Sequence, residues 1–336
     1  IGIIGTGNRF EKIYHPLPKK LNYEIFALNR TPENAKKFQN EGVSLLSTLE
    51  DLSKVDLDVC LCFLPVEKSF DIIGDIKFQC SVLLETPVID QRWIDRKDVG
   101  VMEQWPYLPV EQTKEEIYKK GLIERPHWVF NDGRSYEYHA IAQLRKYCNG
   151  AQPLSIFGNQ QIVQNPGFID KTGNKIAGPE QWTHGQVRLT GDVILMHSFT
   201  YNCKLTVQKP FQLLRAYSID GSIISGRIYQ MDNDYEMFEL RYCDKERNVV
   251  LAKAEKTEEM GTTSSISFPD AGIFWENKFK NVSLTDQEIA MAYMLEDTSF
   301  GNIYSAQEGF LDFITVTGMS QSSQQEQILR LNQEAR

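Results

Sequence analysis

Along the first hundred residues, short apolar runs alternate with polar stretches of helical period. Ile1–Ile4 predicts a strand and Asn8–Leu21 a helix. Pro16 and Pro18 should end that helix early, because an interior proline removes a backbone donor and clashes with the preceding turn. Tyr23–Leu28 predicts a second strand. Thr31-Pro32-Glu33 then predicts a helix start, with Thr31 as N-cap and Pro32 at the first helical position. Leu57–Leu64, apolar but for Asp58, predicts a strand buried on both faces, and Val82–Leu84 predicts another. Strands alternating with helices imply parallel βαβ units and a doubly wound Rossmann sheet.

The pattern changes after about residue 150. Phe211–Tyr217 and Ser222–Tyr229 flank Asp220-Gly221, a strong hairpin-turn dipeptide. Phe238, Leu240 and Tyr242 alternate with Glu239 and Arg241, and a polar turn at Asp244–Asn248 precedes the strand Val249–Ala254. This period-2 alternation predicts an antiparallel sheet with one polar face. Thr285-Asp286-Gln287-Glu288 and Ser305-Ala306-Gln307-Glu308 have the spelling of capping boxes, so each announces a helix. The expected architecture is an α/β Rossmann domain over 1–108, followed by an α+β domain over 109–336 with a large, mostly antiparallel sheet. The final helix is expected to pack back on the first domain.

Composition narrows the possibilities. The 336 residues are 41% hydrophobic and 24% charged, which is ordinary for a globular chain and excludes wholesale disorder. Pure apolar runs such as Val59–Leu64 are far shorter than the roughly 18 residues of a membrane span. A net charge of −9 without a Lys/Arg-rich cluster argues against nucleic acid as a partner. The six cysteines contain no C-x-x-C spacing, and the histidines show no metal-ligand spacing, so neither a disulfide framework nor a metal is expected. The chain opens at Ile1 within a strand, so residues before it are expected to be missing. It lacks a signal-peptide pattern, making the cytoplasm the default location.

Gly5-Thr6-Gly7-Asn8-Arg9-Phe10 sits at the first strand-to-helix junction. Gly5 permits a tight turn, and Gly7 lets the backbone approach a diphosphate at the helix start. Phe10 stands at the third glycine position of a dinucleotide fingerprint, so the same spelling also fits a purely structural turn. At the end of the second strand, where a carboxylate would take the ribose hydroxyls of NAD, the chain has Asn29-Arg30-Thr31. A guanidinium and a hydroxyl suit a 2′-phosphate, which favours NADP(H) over NAD(H). The alternative is an exposed Arg30 beside a Thr31 that only caps a helix.

With this order of elements the sequence resembles the glucose–fructose oxidoreductase / inositol dehydrogenase / MocA (Gfo/Idh/MocA) family. The resemblance is carried by Gly5-Thr6-Gly7 followed by His15, Leu64-Pro65 after the fourth strand, Glu85-Thr86-Pro87, and Tyr304-Ser305-Ala306-Gln307-Glu308-Gly309 with Ser320. It implies an oxidoreductase whose cofactor touches Gly5, Thr6, Gly7, Asn8, Arg9, Asn29, Arg30, Thr31, Leu64, Pro65, Glu85 and Thr86. A small-molecule substrate would lie in an interdomain cleft, and the second-domain sheet would pair copies into a homodimer or homotetramer. The family's Glu-Lys-Pro lysine is Thr86 here, and its Asp-x-x-x-His motif maps onto Ser135 to His139 with the aspartate lost. Both departures speak against sugar oxidation. The biliverdin-reductase or thiazolinyl-imine-reductase branch, which replaces that lysine, fits better, and Gln104-Trp105-Pro106-Tyr107-Leu108-Pro109 is loosely similar to an aromatic-proline stretch of the imine reductases.

Asn131–His139 is the densest polar and aromatic cluster in the chain. His139 is the first candidate for general acid, because its ordinary pKa lies near physiological pH, with Tyr138 and Tyr136 as further proton donors. Arg134 could grip a substrate carboxylate, and Glu103 and Tyr107 could line the substrate cleft. Each also has a plain structural reading: a helix-start histidine, packed tyrosines, a surface ion pair. The function expected is NADP(H)-dependent hydride transfer to an imine, a conjugated double bond or a carbonyl. The rival is a non-catalytic NADP-binding sensor or regulatory protein of the same fold.

Overall fold

The apolar runs of the first hundred residues become six parallel strands: β1 (Gly2–Ile4), β2 (Ile25–Leu28), β3 (Val43–Leu46), β4 (Val59–Cys62), β5 (Ser81–Leu84) and β6 (Val99–Val101). The structure, a computed structural model, describes residues 1–132, 137–169, 175–200, 213–218, 221–224, 227–231, 237–243, 250–256, 263–268, 272–299 and 303–331. The strands hydrogen-bond in the order β3-β2-β1-β4-β5-β6, with Ile4 opposite both Leu28 and Cys62. This is the doubly wound order, and its direction reverses between β1 and β4. Every residue of β1 and β4 is buried, which is why their sequences are continuously apolar. β3, interrupted by exposed Ser44, and β6, interrupted by Gly100, also join the sheet without standing out in the pattern.

The segment after β1 departs from expectation. Phe10–Tyr14 forms a π-helical turn, closed by an i to i+5 bond from His15 N–H to Phe10 O of 2.8 Å. Pro16 and Pro18 do not end this helical stretch; they open its next part, Pro16–Lys20, because the first helical positions need no amide donor. Phe10 is fully buried, with its ring 5.2 Å from that of Phe38 and 5.8 Å from that of Phe63. An aromatic side chain thus fills the space that a third motif glycine would leave for close helix–sheet contact. Cys60 and Cys62 are free thiols in the strand core, and burial pushes Cys62 up to about 12, so both act as small apolar residues.

The chain forms two compact units. The first is Ile1–Pro109, Lys256–Thr263 and Asn277–Phe310; the second is Val110–Glu255, Ser264–Glu276 and Leu311–Arg336. Both sequence-predicted helix starts in the late chain form. Thr285 and Glu288 exchange the reciprocal bonds of a capping box at 2.8 and 3.3 Å before Asp286–Ser299. Ser305 Oγ accepts from Glu308 N–H at 3.2 Å at the start of Ala306–Gln325.

The second sheet comprises β7 (Trp128–Asp132), β8 (Pro153–Ile169), β9 (Lys175–Leu189), β10 (Ile194–Thr200), β11 (Leu213–Tyr217), β12 (Gly221–Ile224), β13 (Arg227–Met231), β14 (Met237–Cys243), β15 (Val250–Lys256), β16 (Thr263–Phe268), β17 (Ile273–Glu276) and β18 (Leu329–Arg330). Their order is β17-β16-β15-β14-β13-β12-β11-β7-β10-β9-β8-β18. The sheet is mixed: antiparallel pairing dominates, while β7–β10 and β14–β15 run parallel. Ser222–Tyr229, read from the pattern as one strand, is two, because β12 and β13 pair antiparallel with Ile224 opposite Arg227. Their link, Ser225-Gly226, is a turn-type dipeptide. Gly158 of β8 and Gly185 of β9 face Met319 of the last helix, which leaves no room for a Cβ at either position. Buried Arg145 anchors Glu137–Tyr147 in this unit, with Nη1 2.5 Å from Asp312 Oδ1 and Nε donating to Ala151 O at 2.9 Å.

Candidate functional site

The first unit brings most of the candidate binding residues to the carboxyl ends of its strands. Gly5 turns the chain out of β1 with φ +90°, a conformation in which a side chain is strained, and its Cβ direction meets the Phe63 carbonyl oxygen at 3.3 Å. Gly7 has no atom within 4 Å of its Cβ direction, so the space over the loop is clear. Thr6 is buried, and its Oγ1 accepts a bond from Asn29 Nδ2 that ties the loop to the end of β2. Asn29 Oδ1 in turn accepts from Thr31 N–H at 3.0 Å. Thr31 stands at the N-cap of Pro32–Gln39, yet its side chain makes no capping bond. Among the described residues no ion pair holds the exposed Arg30 guanidinium. A simple capping role therefore does not account for Thr31, and Arg30 carries an uncommitted positive charge beside it.

Across the switch point, Leu64 and Pro65 follow β4, and Glu85 and Thr86 follow β5. A shallow, small concavity lies there, bordered by Cys62, Leu64, Leu84, Glu85, Pro87 and Trp93. Thr86 is buried, so no cationic side chain stands where the resemblance places a lysine. Exposed Asn8 and Arg9 lie just beyond the glycine loop. Arg9 reaches Glu85 with Nε–Oε2 at 3.3 Å and Nη2–Oε1 at 3.1 Å, a two-point ion pair linking the start of the first helical segment to the end of β5. Glu103 is buried and accepts from Trp105 N–H at 3.2 Å. Burial raises the Tyr107 phenol, with the Asp297 carboxylate adding to the shift, so Tyr107 stays protonated through neutral pH.

Sequence reasoning missed Tyr14. Its ring lies 5.0 Å from that of Phe63, and its hydroxyl is buried without a hydrogen-bond partner among the described residues. Phe10, Tyr14 and Leu17 are buried at ordinary helical spacing, so periodicity marks Tyr14 only as a core residue.

In the second unit, Tyr138 and His139 lie in the first turn of Glu137–Tyr147, their rings 4.4 Å apart. His139 is buried and Tyr138 partly so. Arg134 and Tyr136 lie outside the described residues. Burial raises the neighbouring Glu137 carboxyl, and a bond from Thr183 partly offsets this. The sequence also passed over His197, whose Nδ1 lies 3.1 Å from Asn131 Nδ2 across the β7–β10 pair. Burial pushes His197 down to about 3, with the charge of His184 adding to the shift. A histidine depressed from 6.5 contributes stability above its unfolded pKa, and this is lost as pH falls from about 6.5 toward 3. Urea midpoints measured at pH 7 and pH 4.5 should therefore fall, and His197→Gln should flatten part of that fall.

Among the described residues no group of three or more His, Cys, Asp or Glu is placed to hold a metal ion, and no helix is long and apolar enough to cross a membrane. No family model matches the chain, and no curated protein matches it. Solved structures do match. The transcriptional regulator Gal80p from Kluyveromyces lactis aligns with a TM-score of 0.64 at 12% identity, covering 98% of this chain and 94% of that one. An oxidoreductase from Agrobacterium radiobacter, in complex with NAD+, L-tartaric acid and magnesium, gives 0.64 at 14% identity over 98% and 97%. A myo-inositol dehydrogenase from Corynebacterium glutamicum gives 0.62 at 11% identity over 98% of each chain. The chain shares their fold. At these identities the likeness reaches the fold alone, and function rests on the residues just described.

Proposed function

We propose that the chain is an NADP(H)-dependent oxidoreductase of the Gfo/Idh/MocA type, acting on an imine, a conjugated double bond or a carbonyl of a small polar substrate. The observation that carries this reading is a tight glycine turn at the β1–β4 reversal, with clear space over Gly7 and, at the end of β2, an Arg30 guanidinium that no ion pair holds among the described residues. In open α/β sheets, ligands bind outside the carboxyl ends of the strands at such a reversal. The Gly5–Gly7 amides take the diphosphate, flanked by Asn8 and Arg9. Arg30 and the Thr31 hydroxyl take a 2′-phosphate, and Asn29 holds their backbone to the loop through Thr6. Leu64, Pro65, Glu85 and Thr86 border the other half of the dinucleotide.

When bound, the cofactor supplies a hydride. The protein's part is to position the acceptor and deliver a proton. The candidate donors of that proton are His139 and Tyr138, and the candidate substrate-binding residues are Glu103, Tyr107 and Arg134. Thr86 hydrogen-bonds but carries no charge, which suits reduction of C=N or C=C better than deprotonation of an alcohol. Copies of the chain pair through the second sheet, where Trp128 and Phe157 are 49% and 52% exposed.

The test of cofactor choice is a titration of wild type and Arg30→Ala with NADPH and NADH. Loss of a charge-assisted contact should weaken NADPH by about ten- to a hundredfold and leave NADH nearly unchanged. Equal weakening of both would reject the 2′-phosphate role. A second reading is a dinucleotide-binding regulator without turnover. It is favoured by the uncharged Thr86 and by Gal80p, a transcriptional regulator, among the structures of this fold. Deuteride transfer from labelled NADPH to any imine, enone or carbonyl acceptor separates the two, since only the enzyme performs it.

A further inference from the structure

We propose that Tyr14 is the residue that recognises the nicotinamide end of the cofactor, its hydroxyl donating to the carboxamide oxygen. The inference rests on the dinucleotide reading and adds to it a specificity-determining residue that the sequence did not show. The carrying observation is an unsatisfied donor: Tyr14 is 1% exposed, and its hydroxyl oxygen has no hydrogen-bond partner among the described residues. Native proteins rarely leave a buried polar atom unpaired, and such atoms call for a ligand, water or function.

The surroundings indicate which ligand group fits. The π-turn places Tyr14 four residues beyond Phe10, with both buried and both rings against Phe63. Phe63 directly follows β4, its N–H bonds Ile4 O at 2.8 Å, and its carbonyl is the atom that Gly5 approaches. Tyr14 therefore stands beside the β1–β4 reversal on the β4 side, opposite the Asn29–Thr31 end. The charged groups acting on the phenol are Glu85, Arg9 and Glu103; burial, the dominant influence, keeps it protonated and able to donate. A dinucleotide with its diphosphate on Gly5–Gly7 and its phosphorylated adenosine at Arg30 has only its nicotinamide riboside left for this side. The carboxamide is the one polar substituent of that ring. Glu85 and Arg9, whose charges act on the phenol, are joined as an ion pair, and Glu85 is an acceptor suited to the ribose hydroxyls.

Tyr14→Phe removes one oxygen and keeps the ring packing, so the fold should be retained and the melting temperature should not fall. Calorimetric titration of wild type and variant uses two probes, NADPH and 2′-phospho-ADP-ribose, which lacks the nicotinamide. The expected result is an affinity about tenfold weaker for NADPH in the variant, with the ADP-ribose probe unchanged. Equal weakening of both probes would overturn the proposal, since it would show Tyr14 acting through the loop. Unchanged binding of both would overturn it as well. If wild type binds neither probe, the dinucleotide reading itself fails; if it binds both and Tyr14→Phe changes nothing, only the role of Tyr14 fails.

Discussion

Gly7→Val should abolish dinucleotide binding while leaving the unfolding transition of the protein in place. The Cβ direction at Gly7 points into open space, and its φ lies outside the left-handed region, so valine meets no protein atom. Surface changes free of such conflicts typically alter stability by no more than about 0.5 kcal/mol. The same branched side chain would stand where the diphosphate must approach the backbone amides, and binding would fall below detection. Gly5→Ala should behave in the opposite way. Its φ of +90° and the Phe63 carbonyl at 3.3 Å make any side chain costly, by about 1–3 kcal/mol, so it should lower the melting temperature. Thermal melts with and without NADPH distinguish the two variants: Gly7→Val should lose the ligand-induced shift, and Gly5→Ala the intrinsic stability.

The second large effect lies in the second unit. Arg145 and Asp312 have side chains only 1% and 4% exposed and meet at 2.5 Å. Asp312→Ala would take its carboxylate away from a buried guanidinium, and breaking a buried pair in this way costs about 3–5 kcal/mol. Replacing both partners, Arg145→Met with Asp312→Leu, should cost far less, because no uncompensated charge remains. Urea unfolding followed by tryptophan fluorescence checks both. A double variant as unstable as Asp312→Ala would show that the interaction is not what holds the pair's elements.

Much of the first unit was legible in the sequence because burial on both faces leaves a plain signature. β1, β4 and β5 are apolar runs, and the glycine turn follows the first of them at the expected place. The capping boxes at Thr285 and Ser305 were equally readable, since a helix start is a local arrangement of side chain and amide. The long pair β8–β9 was not, because Gln160, Gln161 and Gln164 interrupt its apolar positions and Gly158 and Gly185 carry no side chain at all. The Pro16 and Pro18 positions misled because proline breaks a helix interior but suits a helix start, and only the π-turn ahead of them decides which applies.

The candidate site was legible as residue types rather than as contacts. Asn29 and Arg30 could be singled out from the spacing, but the tie from Asn29 to Thr6 and the absence of a Thr31 capping bond are three-dimensional facts. The Arg9–Glu85 pair spans 76 positions, and the buried hydroxyl of Tyr14 lies on a face that periodicity assigns to core packing. Arg134 and Tyr136 remain sequence-level candidates, lying outside the described residues.

The central claim is that the β1–β4 reversal of this chain binds a nicotinamide dinucleotide, and calorimetric titration with NADPH and NADH tests it most directly. Saturable heat for a single site per chain is predicted, with tighter binding of the phosphorylated form. No heat with either coenzyme would contradict it.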